Sequence, residues 1–298
     1  MRVVVTGAGG MLGREVVETA LDRGHEVARL THEDLDITIG ADVDYAVAHY
    51  RPAVVINCAA WTDVDGAEAD EAGATRVNDH AAGLVATAAA SVGAKVIHLS
   101  TDYVFDGARR RPYFESDLPA PLSAYGRSKL AGETSVAVLN RRHMIVRTAW
   151  LFGHGRSNFV ETMLRAGAEQ PEVLVASDQV SSPTYTRHLA MALARLAEGE
   201  RFGIHHIVAS GHCSRFEWAQ EIFDQAGIET RVMAATSEMF ATPARRPAYS
   251  VLGSEHPDAI ALPDWRRGLA EYLAERRRSR GEGSPSHAGQ PSSQSERR

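Results

Sequence analysis

Tyr125 and Lys129 stand four residues apart in Tyr125-Gly126-Arg127-Ser128-Lys129, a spacing that puts a phenol and an ammonium on one face of a helix. A phenol, with an ordinary pKa near ~10, is a poor acid or base at neutral pH until a cation beside it favours the phenolate. Lys129 is placed to be that cation. Upstream, an apolar run over residues 95–100 ends in Ser100-Thr101, and the Thr101 hydroxyl is suited to hydrogen-bond the carbonyl oxygen that Tyr125 protonates while hydride arrives from a nicotinamide. This is the chemistry of carbonyl reduction. A Tyr-x-x-x-Lys spacing alone also arises by chance on surface helices, so its weight comes from its company.

That company is a glycine loop, Thr6-Gly7-Ala8-Gly9-Gly10-Met11-Leu12-Gly13, which follows a strand and opens a helix. Position 12 is Leu, so the glycines fall as G-x-x-G-x-x-G at Gly7, Gly10 and Gly13. Glycines there allow a tight turn, bring backbone N–H groups to a pyrophosphate and let the helix pack on the strand, with the helix dipole favouring the anion. Dinucleotide binding is expected. The second strand ends Ala28-Arg29-Leu30-Thr31-His32, without the carboxylate that would hold NAD ribose hydroxyls, and Arg29 and His32 tolerate a 2'-phosphate. NADPH is preferred, with NADH left open. Asp36-Ile37 is suited to meet the adenine, with ordinary turn residues as the alternative.

The elements that must position these groups are legible as an alternation. Residues 2–5, 26–30, 54–57, 95–100 and 144–147 read as short strands, and residues 13–23, 81–91 and 123–139 as helices between them. Such apolar strands alternating with helices predict an α/β fold, a doubly wound parallel sheet of Rossmann type with a smaller interwoven C-terminal substrate-binding region. We expect a dinucleotide-binding domain over residues 1–150, its sheet completed by later segments, and a mainly substrate-binding region over 151–275. The latter holds helices near 158–167 and 214–226 and a strand over 204–209. Residues 276–298, rich in Arg, Ser, Gly, Pro and Gln, read as a disordered tail.

Composition bounds the rest. The 298 residues are 44% hydrophobic and 23% charged with net charge −6, so neither nucleic acid nor a membrane surface is an expected partner. Cys58 and Cys213 have no CxxC spacing, the N-terminus shows no export signal, and the low-polarity stretch 81–94 is too short to span a bilayer. A cytoplasmic protein is expected. The histidines, His205-His206 included, have no metal-ligand spacing, and no metal is expected to be required.

Together these residues resemble the extended short-chain dehydrogenase/reductase superfamily and, more closely, the dTDP-4-dehydrorhamnose reductase family. The resemblance rests on Thr6–Gly13, Asn57-Cys58-Ala59-Ala60-Trp61-Thr62-Asp63-Val64-Asp65, Ser100-Thr101-Asp102-Tyr103-Val104-Phe105-Asp106-Gly107 and Tyr125-Gly126-Arg127-Ser128-Lys129-Leu130-Ala131-Gly132-Glu133. Arg147-Thr148-Ala149-Trp150, Asp178-Gln179, Ser182-Pro183-Thr184 and Arg245-Arg246-Pro247 extend it to about residue 273. It implies reduction of the 4-keto group of a dTDP-linked 6-deoxy-hexulose to dTDP-L-rhamnose by NADPH or NADH. Tyr125 would give the proton, Lys129 would hold the nicotinamide ribose and lower the Tyr125 pKa, and Thr101 would complete the triad. Gly7, Gly10, Met11 and Leu12 would lie along the pyrophosphate, Asp36 and Ile37 would meet the adenine, and Ala59, Ala60 and Thr62 would line the cofactor cleft. Thr101, Asp102, Tyr103 and Trp150 would face the nucleotide sugar, while Asn78 is read as a structural hydrogen-bonder. A homodimer is left open.

Two other functions fit parts of the pattern. One is a different nucleotide-sugar enzyme, an epimerase or dehydratase; the other is a non-catalytic NADP-binding regulatory subunit. An intact Thr101, Tyr125 and Lys129 weighs against the second, since a binding module has no use for an activated phenol.

Overall fold

The computed structural model of the chain describes residues 1–279. Its first half runs β1 (Arg2–Thr6), α1 (Met11–Asp22), β2 (Glu26–Leu30), α2 (Gly40–Tyr50), β3 (Val54–Asn57), the short α3 (Gly66–Ala69) and α4 (Glu71–Thr75), and a π-helical turn at Arg76–Ala81. That turn leads into α5 (Ala82–Ser91), followed by β4 (Lys95–Thr101), a 3-10 turn at Asp102–Val104, α6 (Ala124–Leu139) and β5 (His143–Thr148). The second half runs β6 (Leu151–Phe152), α7 (Phe159–Glu169), β7 (Glu172–Ala176), β8 (Val180–Ser181), β9 (Thr184–Tyr185), α8 (Thr186–Glu198), β10 (Gly203–His206), β11 (Ala209–Ser210), β12 (Cys213–Ser214), α9 (Arg215–Ala226), β13 (Arg231–Ala235), β14 (Leu262–Asp264) and α10 (Trp265–Ser279).

Among the described residues six parallel strands form one sheet in the order β10-β5-β4-β3-β1-β2. Every residue of β3 and β4 is buried, as a strand covered on both faces requires. On one face Val3, Val5, Ile56 and Ile97 pack with Leu12 and Val16 of α1 and with Leu189, Leu193 and Leu196 of α8. On the other, Val4, Val55 and Val96 pack with Val43 and Val47 of α2, Val85 and Ala89 of α5 and Val136 of α6. This is the doubly wound α/β plan. After β1 the chain first adds β2 on one side and then β3 on the other, so the strand order reverses between β1 and β3, and a crevice opens at their carboxyl ends.

The second half returns to the sheet through α8 and β10, then builds its own core around Trp218, Trp265, Phe152, Tyr185 and Tyr272. The strand expected over 204–209 divides into β10 and β11. The last helix also extends the ordered chain beyond the expected start of the tail. Residues 276–279 continue α10, whose Trp265, Leu269, Tyr272 and Leu273 are buried and whose last turn carries Arg276, Arg277 and Arg278, cations favoured at a helix C-terminus. The remainder of the predicted tail lies outside the described residues.

Candidate active site

Helix α6 starts where it does because Ser123 caps it, its side chain accepting from Gly126 N at 3.1 Å, while Glu68 accepts from Ala124 N at 2.8 Å. This puts Tyr125 in the first turn, edge-on to the Tyr103 ring at 5.9 Å and packed with Trp61 against Ala67, Ala74 and Ala124. The Tyr125 hydroxyl is bonded to Thr101, the last residue of β4. Thr101 Oγ1 in turn accepts from Tyr103 N and donates to Asp102 Oδ1, each at 3.1 Å.

Lys129, one helical turn further on, is buried at 2% exposure and its Nζ donates to the Leu99 carbonyl at 2.6 Å. Burial pulls its pKa down to about 8, with the Glu133 carboxylate opposing. The expected lowering of the Tyr125 pKa does not occur among the chain's own groups. Burial raises it, the Thr101 hydrogen bond offsets this in part, and the charge of Asp102 raises it further. The reason is positional: desolvation is the largest influence on the buried phenol, and the Lys129 ammonium is held toward the Leu99 carbonyl. Tyr125 thus keeps its proton at neutral pH, the state a proton donor needs.

Asp102 is buried and engaged on three sides. Besides Thr101, Ser250 donates to Oδ2 at 2.5 Å and Ser181 at 3.2 Å. Burial pushes its carboxyl up to about 6 against those bonds. Its bonds orient Thr101 and tie β4 to the second half of the chain.

At the crevice, Gly7 adopts φ +65, and a Cβ there would lie 2.6 Å from Ala59 N at the end of β3. A Cβ on Gly13 would lie 2.2 Å from Gly7 O. Only glycine permits this approach of loop, helix and neighbouring strand. Gly10 caps α1 with no side-chain hydrogen bond, so the first-turn N–H groups stay available for an anion. A pyrophosphate suits this cradle: Gly7 and Gly10, the latter donating its N–H to Gly7 O at 2.9 Å, shape the turn, and the backbone N–H groups of Met11 and Leu12 could receive the anion, while the Leu12 side chain lies in the core. Ala59 and Ala60 are half-buried and Thr62 exposed along the next loop. Asn78 fixes that loop: its Oδ1 accepts from Trp61 N, and its Nδ2 donates to Trp61 O and to Ser128 Oγ on α6. Asp36 forms a turn, its Oδ1 accepting from Thr38 N and Oγ1, and Ile37 packs into the core. Arg29 is exposed at the end of β2.

Beyond Tyr103 opens a cleft of about 510 Å³, lined among others by Trp150, Phe159, Gln179, Arg215, Trp218 and Arg246. Trp150 sits in the left-handed region at φ 44, a strained conformation for an aromatic residue. It is held by stacking on Trp218 at 5.6 Å and by the Arg215 guanidinium 3.7 Å from its ring centroid. Arg215 and Arg246 both hydrogen-bond Tyr103, linking cleft to catalytic groups. Arg246 also forms a salt bridge with Asp65 at 2.6 Å. Flat aromatic walls with two guanidiniums suit a nucleoside diphosphate. Arg215, Trp218 and Phe159 carried no signal toward this site in the sequence. The spacing of Arg215 and Trp218 placed them on one face of a predicted helix but not where that face looks.

The family model of the RmlD substrate binding domain matches residues 1–278. A dTDP-4-dehydrorhamnose reductase of Streptomyces griseus is 45% identical over 280 residues, 91% of this chain and 92% of its own length. A probable dTDP-4,6-dihydroxy-2-methyloxan-3-one 4-ketoreductase of Streptomyces antibioticus is 41% identical over 91% of this chain and 94% of its own. The crystal structure of dTDP-4-dehydrorhamnose reductase from Bacillus anthracis in complex with NADP superposes with a TM-score of 0.90 at 39% identity, covering 92% of this chain and 99% of that one.

Proposed function

We propose a function from one premise: the chain belongs to the RmlD substrate binding domain family, that of the dTDP-4-dehydrorhamnose reductases. It is an NAD(P)H-dependent oxidoreductase that reduces the 4-keto group of dTDP-4-dehydro-6-deoxy-L-mannose to give dTDP-L-rhamnose. NADPH is its cofactor, with NADH as the alternative. When bound, the reduced nicotinamide supplies the hydride.

The chain's own residues supply the rest. Gly7, Gly10 and the first turn of α1 hold the pyrophosphate, and Arg29 at the end of β2 faces the adenosine side. Lys129 presents a buried ammonium to the nicotinamide ribose. Tyr125 donates its proton to the oxygen that becomes the new hydroxyl, and Thr101, fixed by Asp102 and Tyr103 N, holds the Tyr125 hydroxyl in place beside it. The aromatic cleft takes the nucleotide, with Arg215 and Arg246 on the diphosphate and Tyr103 at the sugar.

The observation that carries this assignment is the meeting of Tyr125 with Thr101 at the end of β4, with the buried Lys129 one helical turn further along α6. A dehydratase would need a free carboxylate beside Thr101, whereas Asp102 is engaged by three hydroxyls. Among the described residues no helix is long and apolar enough to cross a membrane, and we place the protein in the cytoplasm. Oxidation of NADPH that depends on the keto sugar nucleotide and is abolished by Tyr125→Phe tests the assignment.

A further inference from the structure

Behind the catalytic residues lies a buried ionic chain with no part in the steps above. Glu133, one turn beyond Lys129 on α6, and Arg147 on β5 are 4% and 2% exposed and form a bidentate pair: Nε to Oε1 at 2.9 Å and Nη2 to Oε2 at 2.7 Å. Ser100, next to Thr101 on β4, donates its hydroxyl to the same Oε1. The third guanidinium nitrogen of Arg147 is 3.4 Å from His206 Nε2. His206 Nδ1 faces the Gly253 and Tyr113 carbonyls at 2.8 and 3.1 Å. Carbonyls only accept, so Nδ1 carries the hydrogen and Nε2 offers Arg147 its lone pair. His206 is neutral, its pKa pushed down to about 4 by burial. The Glu133 carboxylate is thus paired with Arg147 and Ser100, and the other buried cation of α6, Lys129, lies one helical turn before it with Nζ on the carbonyl of Leu99, the residue before Ser100.

We propose that Glu133 is a positioning residue of the reduction, anchoring the catalytic helix on the end of β4 through Ser100 and Arg147 and holding Lys129 as an ammonium. The other groups around Lys129 cannot do the second task. Cys58, at the end of β3, is kept a neutral thiol by burial, its pKa raised to about 12. His98, on β4, is kept neutral by burial and by Lys129 itself. Asp102 lies on the Thr101 side, engaged by Thr101, Ser181 and Ser250. On the outer side of α6, Asp79 accepts from Ser135, Glu68 from Ala124 N and Glu71 from Arg127. Desolvation pulls the Lys129 amine down, and the charge of Glu133 is the largest influence opposing it.

A purely structural ion pair behaves differently, since a buried pair replaced by apolar groups of similar volume is often neutral or stabilising. The chain offers a clean probe because Lys95 and Lys129 are its two lysines. With lysine labelled at its ε-carbon, native protein gives two titrating NMR signals, and Lys95→Arg assigns that of Lys129. The native midpoint is expected near 8. In Glu133→Gln, and in the volume-matched Glu133→Met/Arg147→Met double variant should the single one not fold, the midpoint drops by about one pH unit, so that at pH 8 roughly fivefold less of Lys129 is charged. The proposal rests on the assigned reduction, for which the alkaline limb of kcat/KM moves down by the same amount. The NMR titration needs no turnover, so failure of the assigned reaction and failure of this role are told apart. A native midpoint near 10, or an unchanged midpoint in a folded variant, overturns the role of Glu133.

Discussion

Tyr125 is a donor because its surroundings keep it neutral, and this fixes what its removal does. Tyr125→Phe should lower kcat/KM by roughly 10²–10⁴, the usual weight of a placed general acid, while the NADPH Kd from fluorescence titration stays near native. Retained turnover would remove Tyr125 from the mechanism. Asp102 makes a second prediction through its raised pKa. In the folded protein it titrates near 6 instead of its ordinary value near ~3.9, so between these values the native state binds more protons than the unfolded chain. Its contribution to stability therefore falls as pH rises from about 4 to about 6, and at neutral pH its buried charge is a cost. Thermal melts should show the native protein gaining on Asp102→Asn as pH drops from 7 to 5; parallel curves would contradict this. The types and spacing of Thr101, Tyr125 and Lys129 were legible in the sequence. The direction of the Tyr125 shift was not, because desolvation depends on what lies over the phenol and Lys129 turned out to face Leu99.

At the scale of elements, the junction of β1, the glycine loop and α1 carries the cofactor cradle. Gly13→Ala would drive a methyl into Gly7 O and Ala8 Cα. It should destabilise the fold by about 2–4 kcal/mol and weaken NADPH binding more than tenfold. Gly199→Ala is the control, since its Cβ meets nothing nearer than 3.5 Å and its φ is −89; neither quantity should change. The strands of the sheet read clearly from the sequence because burial on both faces leaves continuous apolar runs such as Val54-Val55-Ile56. Helix α2, opening on Gly40 with no cap residue before it, and α8, whose apolar face packs on the sheet far along the chain, lacked the start signals that marked α6 and α9. Asp36 illustrates the limit: in sequence it suits an adenine contact or a turn, and in the structure its Oδ1 makes the turn with Thr38.

For the whole molecule, the two halves meet at the cleft. Asp65, from the loop after β3, accepts from Ala244 N and pairs with Arg246, which in turn reaches Tyr103. Arg246→Ala should raise KM for the sugar nucleotide roughly tenfold to a hundredfold, the loss of about 1.5–3 kcal/mol of charged hydrogen bonding, with NADPH affinity near native. The nucleotide cleft was the least legible feature, because Trp150, Arg215 and Arg246 come from three distant segments and only the fold brings them together. The decisive measurement of whether this assembly reduces a 4-keto sugar nucleotide follows NADPH absorbance at 340 nm with dTDP-4-dehydro-6-deoxy-L-mannose and identifies the product. One NADPH should be oxidised for each dTDP-L-rhamnose formed; a folded, NADPH-binding protein that leaves this substrate unchanged would not be such a reductase.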